Sequence, residues 1–122
     1  MNTTKKLMTL LLVITTALHA SAGYETLTYN GINYEFYFSG SGVSAVGDSA
    51  KVGVNNNFSG AADIASSVTC EYTYVSGYDD LGSPIYSTRN LTAPVIAISK
   101  KAFQNCSGLT SVTIPNSVTM IG

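Results

Sequence analysis

Residues 101–122, Lys-Ala-Phe-Gln-Asn-Cys-Ser-Gly-Leu-Thr-Ser-Val-Thr-Ile-Pro-Asn-Ser-Val-Thr-Met-Ile-Gly, limit the folds open to this chain more than any other segment. Their apolar positions, Ala102, Phe103, Cys106, Leu109, Val112, Ile114, Val118 and Ile121, fit neither the period of one long helix nor that of one long strand. They suit a short helical turn, a short strand and a Pro-punctuated return, all facing one axis. Upstream, Val95-Ile96-Ala97-Ile98-Ser99 resembles Val118-Thr119-Met120-Ile121-Gly122, and 121 − 98 gives an offset of 23 residues. Self-similarity at such a period marks a solenoid, in which each unit buries its apolar face against the next. The chain reads as the opening of a repeat array whose following copy would begin after Gly122.

The same residues resemble the BspA-like leucine-rich repeats of bacterial surface and secreted proteins. Ile98, Ala102-Phe103, Cys106, the run Leu109 to Pro115, Ser117-Val118-Thr119 and Ile121-Gly122 fall on that family's pattern. Ser99 departs from it, where glycine is usual. Asp63-Ile64-Ala65-Ser66-Ser67-Val68-Thr69 looks like a diverged Thr-Ile-Pro-x-Ser-Val-Thr, with residues 70–94 inserted before Val95 to Ser99 completes the unit. The expected fold class is therefore mainly β. An N-terminal β-hairpin cap leads into a leucine-rich-repeat solenoid with short helical turns. The implied organisation is a leader over 1–22, a β cap over 23–62, a degenerate first repeat with an inserted hairpin over 63–99, and a repeat over 100–122 with its array truncated.

The leader reads as a secretory signal. Lys5 and Lys6 form a basic start, Leu7 to Leu18 is apolar, and Ala20-Ser21-Ala22 is a small-residue cleavage site. The apolar run is too short to span a bilayer, which needs about 20 residues. Export and a mature start at Gly23 follow as expectations, with a secreted or cell-surface location and no membrane insertion after cleavage. The mature chain then holds four positive side chains (Lys51, Arg89, Lys100, Lys101) against seven negative ones, a net charge of −3. Such sparse, mildly acidic charge offers no electrostatic footprint for nucleic acid.

Between the ends, strands dominate. Asn30-Gly31 is the preferred type I′ turn, which pairs Tyr29 with Ile32, Leu27 with Tyr34 and Glu25 with Phe36. Leu27, Tyr29, Ile32, Tyr34 and Phe36 then share one face, with Thr26, Thr28, Asn33 and Glu35 on the other. A second strand pair is expected over 43–46 and 50–54, followed by an Asn55–Asn57 loop. Glu71 to Val75 should pair with Ile85 to Thr88 across a polar loop over 76–84. Lys100 to Asn105 is expected as a helical turn, and Ser111 to Ile114 as a strand with Val112 and Ile114 inward. The faces of Val112, Ile114, Val118 and Ile121 toward a following unit would be uncovered, which predicts marginal stability or association for the chain alone.

Chemistry is scarce. The one histidine, His19, lies in the leader, so the mature chain has no Ser-His, Cys-His or His-metal arrangement. Asp79-Asp80 could take calcium or supply a glycosidase carboxylate, against the simpler reading of a solvated loop. Asp48-Ser49-Ala50 resembles a short bacterial O-glycosylation sequon, with a plain loop as the default. Lys100-Lys101 reads as a solvated helix start rather than a binding patch. The eight tyrosines, all after the leader, divide between core positions on alternating strands and contact surface. Cys70 and Cys106 leave a disulfide open, although Cys106 sits where the repeat family buries a thiol. We therefore expect no enzyme, no cofactor, and no catalytic or metal residue. The resemblance implies an adhesive or protein-binding module facing a host or bacterial surface protein or glycan, and the alternative is a capping or spacer segment without a ligand of its own.

Overall fold

A computed structural model describes residues 11–13 and 22–122. The basic start, most of the apolar run and the cleavage-site residues Ala20-Ser21 of the expected leader lie outside the described residues. The described residues are mainly β, with nine strands among them: β1 (Leu11–Val13), β2 (Ala22–Tyr29), β3 (Ile32–Ser39), β4 (Val46–Val52), β5 (Gly60–Asp63), β6 (Ser67–Tyr78), β7 (Pro84–Ile98), β8 (Leu109–Thr113) and β9 (Met120–Ile121). Seven form one sheet in the order β1-β6-β7-β4-β3-β2, with β9 also on β7, and β5 pairs with β8 separately. Among the described residues no helix is long and apolar enough to cross a membrane.

The β2–β3 hairpin follows from its turn. Asn30 and Gly31 have φ of 51° and 80°, the left-handed pair that a type I′ turn requires. The register is Tyr29↔Ile32, Leu27↔Tyr34 and Glu25↔Phe36, as the alternation predicts. Leu27, Ile32, Tyr34, Phe36 and Phe38 are buried, while Asn33, Glu35 and Tyr37 face outward and are half-buried.

The expected second strand pair over 43–54 does not form. Gly42–Ser44 is a short 3-10 turn, and residues 46–52 are one strand added to the hairpin, Glu35↔Lys51 and Tyr37↔Ser49. The turn is held from elsewhere, since Arg89 Nη1 donates to the carbonyls of Gly42 and Ala45 at 3.1 and 2.6 Å. These contacts join positions more than forty residues apart, which local pattern does not contain. A bulge sits at Asp48, next to Gly47, where a Cβ would stand 2.6 Å from the Thr92 carbonyl oxygen, so only glycine lets β7 pass. Asp48-Ser49-Ala50 is therefore strand and not loop, with Ala50 buried.

Strands β6 and β7 pair antiparallel as expected from Glu71–Val75 and Ile85–Thr88, but far beyond those bounds, from Ser67↔Pro94 to Tyr78↔Pro84. Their loop shrinks to residues 79–83. There the Asp79 carboxylate accepts the backbone N–H groups of Leu81 and Ser83, both at 2.9 Å, so Asp79 organises the turn rather than pointing freely to solvent.

The C-terminal end of β7, residues 95–98, changes partners and becomes parallel. Lys51↔Ala97 and Val52↔Ile98 join it to β4, and Ala97↔Met120 and Ile98↔Ile121 join it to β9. The offsets are 98 − 52 = 46 and 121 − 98 = 23, so the second is the sequence period and the first is twice it. β5 and β8 are also parallel, with Ala62↔Val112 and Asp63↔Thr113, which is the alignment of the diverged segment with its later copy. The expected helical turn over 100–105 is absent. Successive turn bonds replace it (Ala102 N–H to Ser99, Gln104 N–H to Lys101, Cys106 N–H to Phe103), and Asn105 at φ 65° stops them winding on. Ala102 and Cys106 are nevertheless buried.

One hydrophobic core extends from the hairpin through Val52, Ala62, Ile64, Val68, Tyr72, Leu91 and Val95 to Ile98 and Ala102. Beyond it the covering stops. Val112 and Ile114, expected inward, are instead 36% and 44% exposed, although Ala62, paired with Val112, is buried. The two sheets neither close nor repeat as a regular array.

Candidate functional site

The outer face of the large sheet gathers the chemistry that the core does not use. Because side chains alternate along strands, residues paired across β2, β3, β4, β7 and β9 line up in rows. One row runs Thr26–Glu35–Lys51–Ala97–Met120, and the row beside it runs Tyr24–Tyr37–Ser49. The first row spans five strands and both pairing modes, so its spacing is fixed by backbone hydrogen bonds.

Its polar centre is a three-residue cluster. Tyr37 donates its hydroxyl to Glu35 Oε1 at 2.6 Å, and Lys51 Nζ stands 3.6 Å from the same oxygen. Lys51 also lies 5.8 Å from the Tyr37 ring centroid, a cation–π arrangement. Tyr24, 57% exposed, packs its ring 5.4 Å from that of Tyr37 with a 47° tilt. The bond to Glu35 holds the Tyr37 phenol above its usual range, and interaction with the Tyr37 hydroxyl raises Lys51. Both groups therefore keep their protons at neutral pH. Beside the cluster, Lys51, Ala97, Ile98, Lys100, Met120 and Ile121 line a shallow open depression of about 270 Å³.

Tyrosines divide between core and surface. Tyr34, Tyr72 and Tyr74 are buried and Tyr29 packs against the core, whereas Tyr24, Tyr78 and Tyr86 are exposed and Tyr37 is half-buried. Alternation alone places the first group. It could have placed Tyr24 and Tyr37 on the polar face of the hairpin, but only the β3–β4 register brings Lys51 to them. Ser111 and Thr113, the outward positions of the repeat strand, are exposed on the smaller sheet.

The remaining reactive groups are structural. Cys70 and Cys106 are both free and buried. Burial, reinforced by the nearby Glu25 and Glu71 carboxylates, pushes the Cys70 thiol up to about 11, so it is a poor nucleophile at neutral pH. Cys106 donates its S–H to the Asn55 carbonyl at 3.1 Å. Among the described residues no cluster of three or more His, Cys, Asp or Glu side chains could hold a metal ion. Protein-family models, curated proteins and solved structures yielded no match to the chain.

Proposed function

We propose that this chain is a secreted or cell-surface leucine-rich-repeat module of the BspA-like kind, non-catalytic and built for adhesion or protein binding. The observation that carries the reading is the parallel register Val52↔Ile98↔Ile121, whose steps are whole multiples of the 23-residue sequence period. Units related by such a period present the same outward positions on successive strands, and extended surfaces of this kind suit recognition. The apolar edge at Val112, Ile114 and Ile121, 65% exposed in the last case, has the chemistry of a stacking face for a further unit.

A capping role is the second reading, favoured by the asymmetry of the ladder. The β2–β3 hairpin closes the β4 side, while β9 leaves the other side open. Appending two consensus repeats after Gly122 tests both. Conversion of a loosely stable or associating chain into a monomer with a higher, concentration-independent melting temperature is expected. An unchanged melting temperature and an already monomeric parent would remove the repeat reading.

A further inference from the structure

The neutral pairing of charges beside two tyrosine rings has a chemical counterpart. A pyranose ring has one face of C–H groups and a rim of hydroxyls that each donate and accept. Recognition therefore needs an aromatic face together with fixed donors and acceptors, and no excess of either charge. On the outer face of β2, β3 and β4 these parts stand together. Tyr24 offers an exposed ring, and its contact with Tyr37 limits its rotation. Glu35 keeps acceptor capacity beyond the one short bond from Tyr37, and Lys51 makes no contact to a carboxylate shorter than 3.6 Å, so its ammonium protons remain available.

We propose that Tyr24, Tyr37, Glu35 and Lys51 form a binding site for an uncharged carbohydrate, a sugar ring stacking on Tyr24 with adjacent hydroxyls bridged by the Glu35 carboxylate and the Lys51 ammonium. Charge decides the class of ligand. The Glu35–Lys51 pair is neutral as a unit, and the mature chain is net acidic, so sialylated, sulfated or phosphorylated ligands gain no net attraction at the cluster itself, and Lys100 stands apart from it on the adjoining depression. The rows fix the geometry in advance, because each residue sits on a paired strand and little ordering is needed when ligand arrives. Ala97 and Met120 continue the same row, giving a second sugar unit an apolar surface and a shallow depression to follow.

The inference deepens the binding reading above by naming a ligand, but it rests on the hairpin side of the sheet and not on the open edge. The test uses the exported full chain in native gel electrophoresis through soluble neutral polysaccharides. Calorimetry follows with neutral gluco-, manno- and galacto-oligosaccharides and with sialylated and sulfated counterparts. Retardation by at least one neutral polymer is expected, with little change between low and high salt. Tyr24→Ala and Lys51→Met should each weaken binding at least tenfold, with far-UV circular dichroism unchanged. Ser111→Ala on the remote sheet should leave binding intact.

Binding to charged glycans alone, to none, or with equal strength in Tyr24→Ala overturns the proposal. If sugars fail while appended repeats still raise the melting temperature, the site is wrong and the repeat reading stands. If sugars bind and the repeats change nothing, the reverse holds.

Discussion

Replacing Tyr34 by Phe removes a single oxygen at the point where the hairpin meets the second sheet. Tyr34 is fully buried, and its hydroxyl oxygen accepts the backbone N–H of Ala65 at 3.0 Å, just after β5. Ala65 is itself buried, so in Tyr34→Phe its N–H loses its partner without gaining water. Leaving such a donor unsatisfied costs about 1–3 kcal/mol. In a domain of this size each kcal/mol lowers the melting temperature by about 4–8 °C. A second signature lies in alkali, because burial raises the Tyr34 phenol to about 12 from its ordinary 10. Below pH 10 the folded and unfolded chains both hold the proton, and the full contribution is present. Between about 10 and 12 the unfolded chain releases it first, so stability falls as pH rises, by about 3 kcal/mol in all. Cys70, raised to about 11, titrates in the same window. The difference between wild type and Tyr34→Phe cancels that contribution. Urea unfolding followed by far-UV circular dichroism at pH 8, 10, 11 and 12 measures the difference. Wild type should be the more stable at pH 8, and its advantage should shrink steadily above pH 10. A variant as stable as wild type at pH 8, or an advantage constant up to pH 12, would refute the assignment of this hydroxyl as a buried anchor.

Two further expectations concern groups that join distant parts of the chain. Asn55, 2% exposed, accepts the Asn33 N–H at 2.7 Å and donates to the Gly53 carbonyl at 3.0 Å. Asn55→Ala should therefore cost about 1–3 kcal/mol in urea unfolding, whereas Asn56→Ala, exposed beside it, should stay within about 0.5 kcal/mol; equal effects would show that Asn55 is ordinary loop. Cys70 and Cys106, free and buried, should resist iodoacetamide at pH 8 until denaturant is added, and reductant should leave the melting temperature unchanged. A drop on reduction would instead reveal a bridge between them.

Local chemistry was legible where a residue's role depends on its near neighbours. Asn30-Gly31 set the hairpin register, because only left-handed backbone fits a two-residue turn, and strict alternation then fixed which face of β3 is buried. The 23-residue offset between Ile98 and Ile121 was visible as self-similarity and returned as a parallel pair, although Ile98 is buried and Ile121 is exposed. Where only tertiary structure could decide, the partner lay far along the chain. Arg89 fixes the turn at Gly42–Ala45, and residues 46–52 became one strand because β3 and β7 offered it two edges. The turn over 100–105 did not wind into a helix, because its backbone is committed elsewhere: the Ala102 carbonyl accepts the Asn55 N–H at 2.7 Å. The candidate site divides the same way. Sequence alone put Glu35 on the polar face of one hairpin, and the same alternation, carried further, reaches Tyr24 and Tyr37; but the β3–β4 register supplied Lys51, and a long-range pairing register is an energy shared among strands that no single segment contains.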